Sequence, residues 1–238
     1  AARLTSAKIQ GEESMKDPIF DPIVINQLKV KNRIYMPAMH MGMAVDFEVT
    51  DPLINFYAER ARGGAGLICV GYATVDDLSG NTTNIGAHRD EFIPGLTRLA
   101  NAIKENGACS AVQINHAGAR GFPAGGELQG ASPSGFAFRP DVAPQIMSLS
   151  QIEQLVTDFA AAASRAVDAG FDGVEIHGAH FYLISQFLSP LTNQRNDRYG
   201  GDARARATFA LEVVRSVRDR LGKSYPILFR LNALEKVE

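Results

Sequence analysis

From Phe20 onward, apolar residues fall into two kinds of stretch that alternate along the chain. One kind is short and apolar at nearly every position: residues 33–39, 66–75, 109–116, 173–179 and 226–233. Their length and density predict strands. The other kind is longer and has a helical period. In the clearest case Ile152, Leu155, Val156, Phe159 and Ala163 recur at i, i+3, i+4, i+7 and i+11, which builds one apolar helix face. Ser148 with Gln151 forms a capping box ahead of it, and Gly170 ends it. Asp51-Pro52 starts an earlier helix that stops at Gly63-Gly64. A helix over residues 95–106 stops at Gly107, and one carrying Phe209, Val213, Val214, Val217 and Leu221 stops at Gly222. Ahead of these, residues 20–30 alternate loosely through Ile23, Ile25, Leu28 and Val30 and read as a short hairpin.

Strands without alternation suit a parallel sheet covered on both faces. Strand–helix repetition then leaves a doubly wound open sheet or a (β/α)8 barrel. No GxGxxG follows any strand, which weighs against a dinucleotide-binding open sheet. Polar residues gather where strands end: His40, Tyr72, Gln113, His116, His177, His180 and Arg230. In a barrel these ends share one face, where active sites sit. Each unit takes about 48 residues, so eight would need on the order of 390. The predicted fold is therefore an α/β TIM barrel present only through about its fifth strand. An open five-strand sheet would expose two apolar edges, so the rest of the barrel is expected from the same precursor or another chain.

Lys plus Arg total 24 against 26 Asp plus Glu, a net charge of −2 that argues against nucleic-acid or anionic-membrane partners. No apolar run approaches the roughly 20 residues that span a bilayer. Cys69 and Cys109 stand alone, with neither a CxxC pair nor a disulfide framework, so a cytoplasmic setting is expected. Residues 1–14 are polar and aperiodic and read as an extension or tag ahead of a natural start at Met15; residues 15–238 form the barrel part.

Three stretches are more specific: KNRIYMPAMHMG at the first strand, AVQINHAGAR at the third, and DAGFDGVEIHGAHFYLISQFLSPLTNQRNDRYGGD from Asp168 to Asp202. Together they resemble the old yellow enzyme family of FMN-dependent NADH:flavin oxidoreductases. Met39-His40, TNQRNDRYGGD and FRLNALEKVE resemble its 2,4-dienoyl-CoA reductase and 2-enoate reductase branch. The resemblance implies an FMN-binding TIM barrel acting on a small-molecule alkene, including CoA thioesters. It also implies NAD(P)H as hydride source, an oligomer, and a 4Fe-4S site and an FAD-binding portion beyond residue 238. NAD(P)H reduces FMN, hydride passes to the β-carbon of an activated alkene, and an acid protonates the α-carbon.

The same resemblance implies residue roles. His177 and His180 correspond to the pair that holds the substrate oxygen as negative charge develops on it. Read from the residues alone, histidines three apart at a strand end could equally be structural or bind a metal, with no third ligand of suitable spacing. Tyr182 corresponds to the proton donor; a tyrosine hydroxyl, with an ordinary pKa of roughly 10, is protonated at neutral pH. Phe181 departs from the glycine most members carry, and leaves the substrate's size open. Gln113 and Arg230 correspond to contacts on the flavin ring, Arg230 near N1 and O2, while Pro37, Ala38 and Met39 would meet it through backbone atoms. Core packing accounts equally well for Met39. His40 stands where relatives that link or tune flavin through a thiol carry Cys, so FMN is expected to be non-covalent. Tyr72 contacts flavin or only crowds it, His116 lies beside flavin or merely ends a strand, and His88 is expected in a solvated loop. Arg195 and Arg198 are expected in structural pairs. Two other readings remain: a non-catalytic partial barrel that acts only with a partner chain, and a metal-dependent barrel hydrolase using the histidine pair.

Overall fold

The computed structural model describes residues 17–122, 128–132 and 142–235; the extension expected at residues 1–14 lies outside the described residues. A hairpin comes first, β1 (Ile23–Ile25) antiparallel to β2 (Leu28–Val30), turning through Asn26 at φ +53°. Asn tolerates that left-handed turn better than most residues. The strand–helix series follows: β3 (Tyr35–Met36), α1 (Asp51–Arg62), β4 (Leu67–Thr74), β5 (Ile85–Gly86), α2 (Ile93–Glu105), β6 (Cys109–Asn115). The short β7 (Gln129–Gly130) and β8 (Gln145–Ile146) pair with each other ahead of α3 (Leu149–Asp168) and β9 (Gly173–Gly178). The short α4 (Leu183–Leu188) and α5 (Ala203–Arg206) lead to α6 (Thr208–Leu221) and β10 (Ile227–Leu231).

The main sheet runs β10-β9-β6-β4-β3, parallel throughout, with β5 added at the end of β4. This is half of a barrel wall, open at β3 and β10. The predicted helices stand with their predicted stops, and the Ser148–Gln151 capping box is formed. The predicted strand at residues 33–39 shrinks to Tyr35 and Met36. It is an edge strand with one neighbour, and Pro37 has no N–H to continue a ladder.

Successive side chains on a strand point to opposite faces, and the two faces are packed differently. Ile68, Val70, Val112, Ile114, Val174 and Ile176 join the large core under the helices, with Leu96, Leu99, Phe159 and Phe209. Leu67, Cys69 and Ala111 face the barrel interior and pack against Ile23, Ile25, Leu28 and Val30 of the hairpin. The hairpin therefore plugs the bottom of the half-barrel and leaves the strands' C-terminal ends for chemistry.

The start of β4 depends on a close approach. Asn32 clips the turn by donating to Gly64 O at 2.8 Å and accepting from Ile34 N at 3.1 Å. A Cβ on Gly66 would lie 2.6 Å from Asn32 O. Gly66→Ala is therefore expected to lower unfolding stability by about 1–3 kcal/mol, read by urea denaturation. An unchanged midpoint would show that this turn yields easily.

The RNDRYGG loop is structural, as expected. Arg195 pairs with Asp197 at 2.6 Å and donates to Ala131 O and Met147 O. That pairing holds the Asp197 carboxyl below the usual carboxylate range. Arg198 pairs with Glu153 and Glu212, and the buried Tyr199 donates to Glu212 at 2.9 Å.

Candidate active site

The C-terminal ends of the strands bring a row of rings together. His40 meets Tyr72 at 6.0 Å between ring centroids, Tyr72 meets Tyr182 at 5.5 Å, Tyr182 meets His177 at 5.0 Å, and His177 meets His180 at 5.1 Å. His177 is the next-to-last residue of β9, and Tyr182 is the N-cap of α4. The turn between them places His180 at φ +58° and Phe181 at φ +55°. Two consecutive side-chain-bearing residues in the left-handed region are costly and need outside support. Arg120 donates to His180 O, Asn232 accepts from His180 N at 3.2 Å, and Gln186 donates to Phe181 O at 2.7 Å. Gln186 is wholly enclosed, and its Oε1 accepts from Ala119 N.

The histidine pair is neutral at neutral pH. His177 Nε2 and His180 Nδ1 are 3.2 Å apart, so one ring donates to the other. Burial, the neighbouring His180 and the cations Arg230 and Arg120 push His177 down to about 3. Burial and the same two arginines also lower His180. His177 Nδ1 is buried with no partner among the described residues. The Arg120 guanidinium carbon sits 5.3 Å from the centre of the Tyr182 ring. Tyr72 is buried, and burial followed by Tyr182 raises its phenol.

Below this row the barrel interior is polar. Gln113 on β6 donates to Glu175 Oε1 at 2.6 Å, and Tyr35 on β3 donates to Glu175 Oε2 at 2.7 Å. Burial, then Cys69 and Glu175, holds the Tyr35 phenol far above its ordinary value, so it stays a donor. Arg230 on β10 lies level with His177 on β9 and donates to Ala38 O at 3.1 Å, tying the two open edges of the sheet together. His40 Nδ1 accepts from Asn84 at 2.8 Å, and burial lowers its pKa.

Some sequence expectations change. His88 is not solvated: its side chain is 3% exposed, stands over Phe47 and Phe92, shares a hydrogen bond with Thr74 Oγ1 at 2.8 Å, and lies 3.2 Å from Asp77. A histidine in a loop was expected in water, but the loop folds back over Phe92. Met39 is 47% exposed and Pro37 is exposed, so core packing does not account for Met39. His116 stands apart from the ring row, fully buried, with Nδ1 accepting from Gly118 N and Nε2 3.5 Å from Asp76. Glu175, Gln186, Arg120 and Asn232 were missed. Only Glu175 carried a signal, as the one charged residue inside an otherwise apolar strand.

Comparison with known proteins agrees with this layout. The NADH:flavin oxidoreductase / NADH oxidase family matches residues 18–238. A metal reductase of Desulforamulus reducens is 47% identical over 214 residues, covering 90% of this chain and 32% of that protein. An NADH:acrylate oxidoreductase of Vibrio harveyi is 44% identical over 202 residues, covering 82% of this chain and 20% of that protein. The structure of a 2-naphthoyl-CoA reductase with 2-naphthoyl-CoA superimposes with a TM-score of 0.85 at 30% identity, over 91% of this chain and 35% of that one. The chain thus spans about a third or less of the length of these relatives. The parallel half-barrel, the ring row at its C-terminal face and the match over residues 18–238 place the chain in the NADH:flavin oxidoreductase / NADH oxidase family.

Proposed function

We propose that this chain supplies the substrate-oxygen and flavin-ring groups of an NAD(P)H-dependent flavin oxidoreductase that reduces an activated carbon–carbon double bond. The substrate class is an enoate or an enoyl- or dienoyl-CoA, as in the 2-enoate and 2,4-dienoyl-CoA reductase branch. When bound, FMN supplies the hydride chemistry that links NAD(P)H to such an alkene.

The observation that carries this reading is the neutral His177–His180 pair with Tyr182 packed against it. A carbonyl oxygen that gains negative charge needs fixed donors. Each neutral ring has one N–H, and the pair holds one of these internally. A substrate oxygen that parts the rings takes that N–H directly, and takes the second once the accepting ring turns its own N–H toward it, at no cost in deprotonation. Arg230 and Arg120 disfavour a proton on His177, which keeps the pair as hydrogen-bond donors and not as acids. The proton for the α-carbon then comes from Tyr182.

The residues present fit the flavin ring. Arg230 is a fixed cation at the mouth of the interior, Gln113 offers an amide there, and the chain at Pro37, Ala38 and Met39 runs along the opposite edge. Barrels of this kind hold phosphate with loops after strands seven and eight, which pair beyond β10 in a closed barrel. The greater length of the relatives supports a source for them in the same precursor or in another chain.

The test uses the whole protein that carries this chain. Under anaerobic conditions NADH or NADPH should bleach the flavin absorption, and acrylate, a longer 2-enoate or an enoyl-CoA should restore it. A flavin that NAD(P)H reduces, but that no activated alkene reoxidises, would sink the alkene reading and leave other acceptors.

A further inference from the structure

Glu175 has no part in the chemistry described above, yet it is a nearly fully buried carboxylate in the middle of β9, two residues before His177. Each of its oxygens takes one donor: Oε1 from Gln113 Nε2 at 2.6 Å and Oε2 from the Tyr35 hydroxyl at 2.7 Å. Gln113 and Glu175 are register partners on adjacent parallel strands, so the contact is set by the sheet itself.

We propose that Glu175 is a positioning residue that fixes which way round the Gln113 carboxamide is held, and so which of its atoms is offered to the flavin ring. A carboxamide can present either end, because its oxygen only accepts and its nitrogen only donates. A carboxylate only accepts, so it can face the nitrogen and never the oxygen. The Glu175 contact therefore commits one N–H of Gln113 and turns Oε1 away. Among the described residues no protein donor bonds Gln113 Oε1, so that atom and the second N–H remain for a ligand. Tyr35 completes the arrangement. Its hydroxyl gives its proton to Glu175 Oε2 at 2.7 Å, a bond that only an acceptor at position 175 can take.

This inference rests on the proposed contact between Gln113 and flavin, and a set of variants separates the two. In Glu175→Gln the new amide has one acceptor and one donor end. Keeping the Tyr35 donation gives Tyr35 the acceptor end, the donor end then faces Gln113, and Gln113 turns over. In Glu175→Gln with Tyr35→Phe that donation is gone. The new amide can then give its oxygen to Gln113 Nε2 and restore the original orientation. The readouts are the FMN dissociation constant by fluorescence titration and the position of the bound flavin's visible bands, with a thermal melt of each variant. They are taken on the whole protein.

Glu175→Gln is expected to weaken FMN binding about tenfold, the effect of one hydrogen bond exchanged for a mismatched one. Tyr35→Phe alone should change it little, and the double variant should recover most of the loss. Gln113→Met should abolish the response to Glu175→Gln. If Glu175→Gln does not fold, Glu175→Asp gives the same reading by shortening the carboxylate's reach to Gln113, and FMN affinity should again fall. Wild-type affinity in Glu175→Gln or Glu175→Asp would overturn the proposal, as would a double variant no better than Glu175→Gln. Gln113→Met that binds FMN normally would instead remove the flavin contact on which the proposal rests.

Discussion

Replacing Tyr182 with Phe is expected to slow reoxidation of the reduced protein by an activated alkene about 10²- to 10⁴-fold, the usual contribution of a positioned general acid. Flavin reduction by NAD(P)H should stay within about twofold. The substitution removes one oxygen and leaves the packing. The ring keeps its edge contacts with His177 and Tyr72 at 5.0 and 5.5 Å, and the backbone keeps Tyr182 N on Ala179 O and Gln186 N on Tyr182 O. Local geometry therefore survives, and any loss reports on the proton. Stopped-flow measurement of the two half-reactions separates them, because only the second needs an acid at the α-carbon. Equal slowing of both would remove Tyr182 from the proton step and point to a damaged flavin pocket. The affinity of an alkene substrate should hardly move, since the proposed function assigns its oxygen to His177 and His180 and not to Tyr182.

Much of this architecture was legible because it depends on local signals. Period and caps marked α1, α2, α3 and α6, and apolar density marked β4, β6 and β9, which are buried on both faces. The hairpin was legible from its alternation. Edge strands were overestimated. β3 keeps two residues of seven, since a strand with one neighbour and a proline has few hydrogen bonds to make. Long-range consequences were not legible. Nothing near His88 in the chain shows that Phe92 and Phe47 enclose it. Nothing near Tyr35 shows that its hydroxyl reaches a carboxylate 140 residues away. The grouping of His40, Tyr72, His177 and His180 was anticipated because a parallel barrel carries all strand C-termini on one face, whereas Tyr182 was added by the resemblance and His116, expected in the same group, stands apart. The support for the strained His180-Phe181 turn was invisible, because Arg120, Gln186 and Asn232 come from three separate segments.

The buried histidines are expected to make the protein acid-labile well above the pH at which carboxylates titrate. His177 is pushed down to about 3, and burial lowers His116 and His88. A folded pKa below the unfolded value of about 6.5 means that the unfolded chain binds more protons as pH falls. The stability these groups contribute is therefore fully present above pH 6.5. It is lost progressively below it, down to the folded pKa. Each fully buried neutral histidine contributes a slope approaching about 1.4 kcal/mol per pH unit over that window. His180 and His40 are too exposed to add much. His116 is the cleanest place to test this, because it lies outside the ring row. Its Nδ1 accepts from Gly118 N at 2.9 Å, and burial lowers it against the opposing pull of Asp76, 3.5 Å from Nε2, of Gln129 and of Asp158. Urea denaturation at pH 7.0 and 5.5 should show wild type losing more stability than His116→Asn, by about 1 kcal/mol over the interval. The variant starts lower at pH 7.0, since a smaller side chain leaves space in the core. Its decline with acid should nonetheless be shallower. Parallel declines would mean that His116 charges in the folded state as easily as in water, through Asp76 moving in to pair with it.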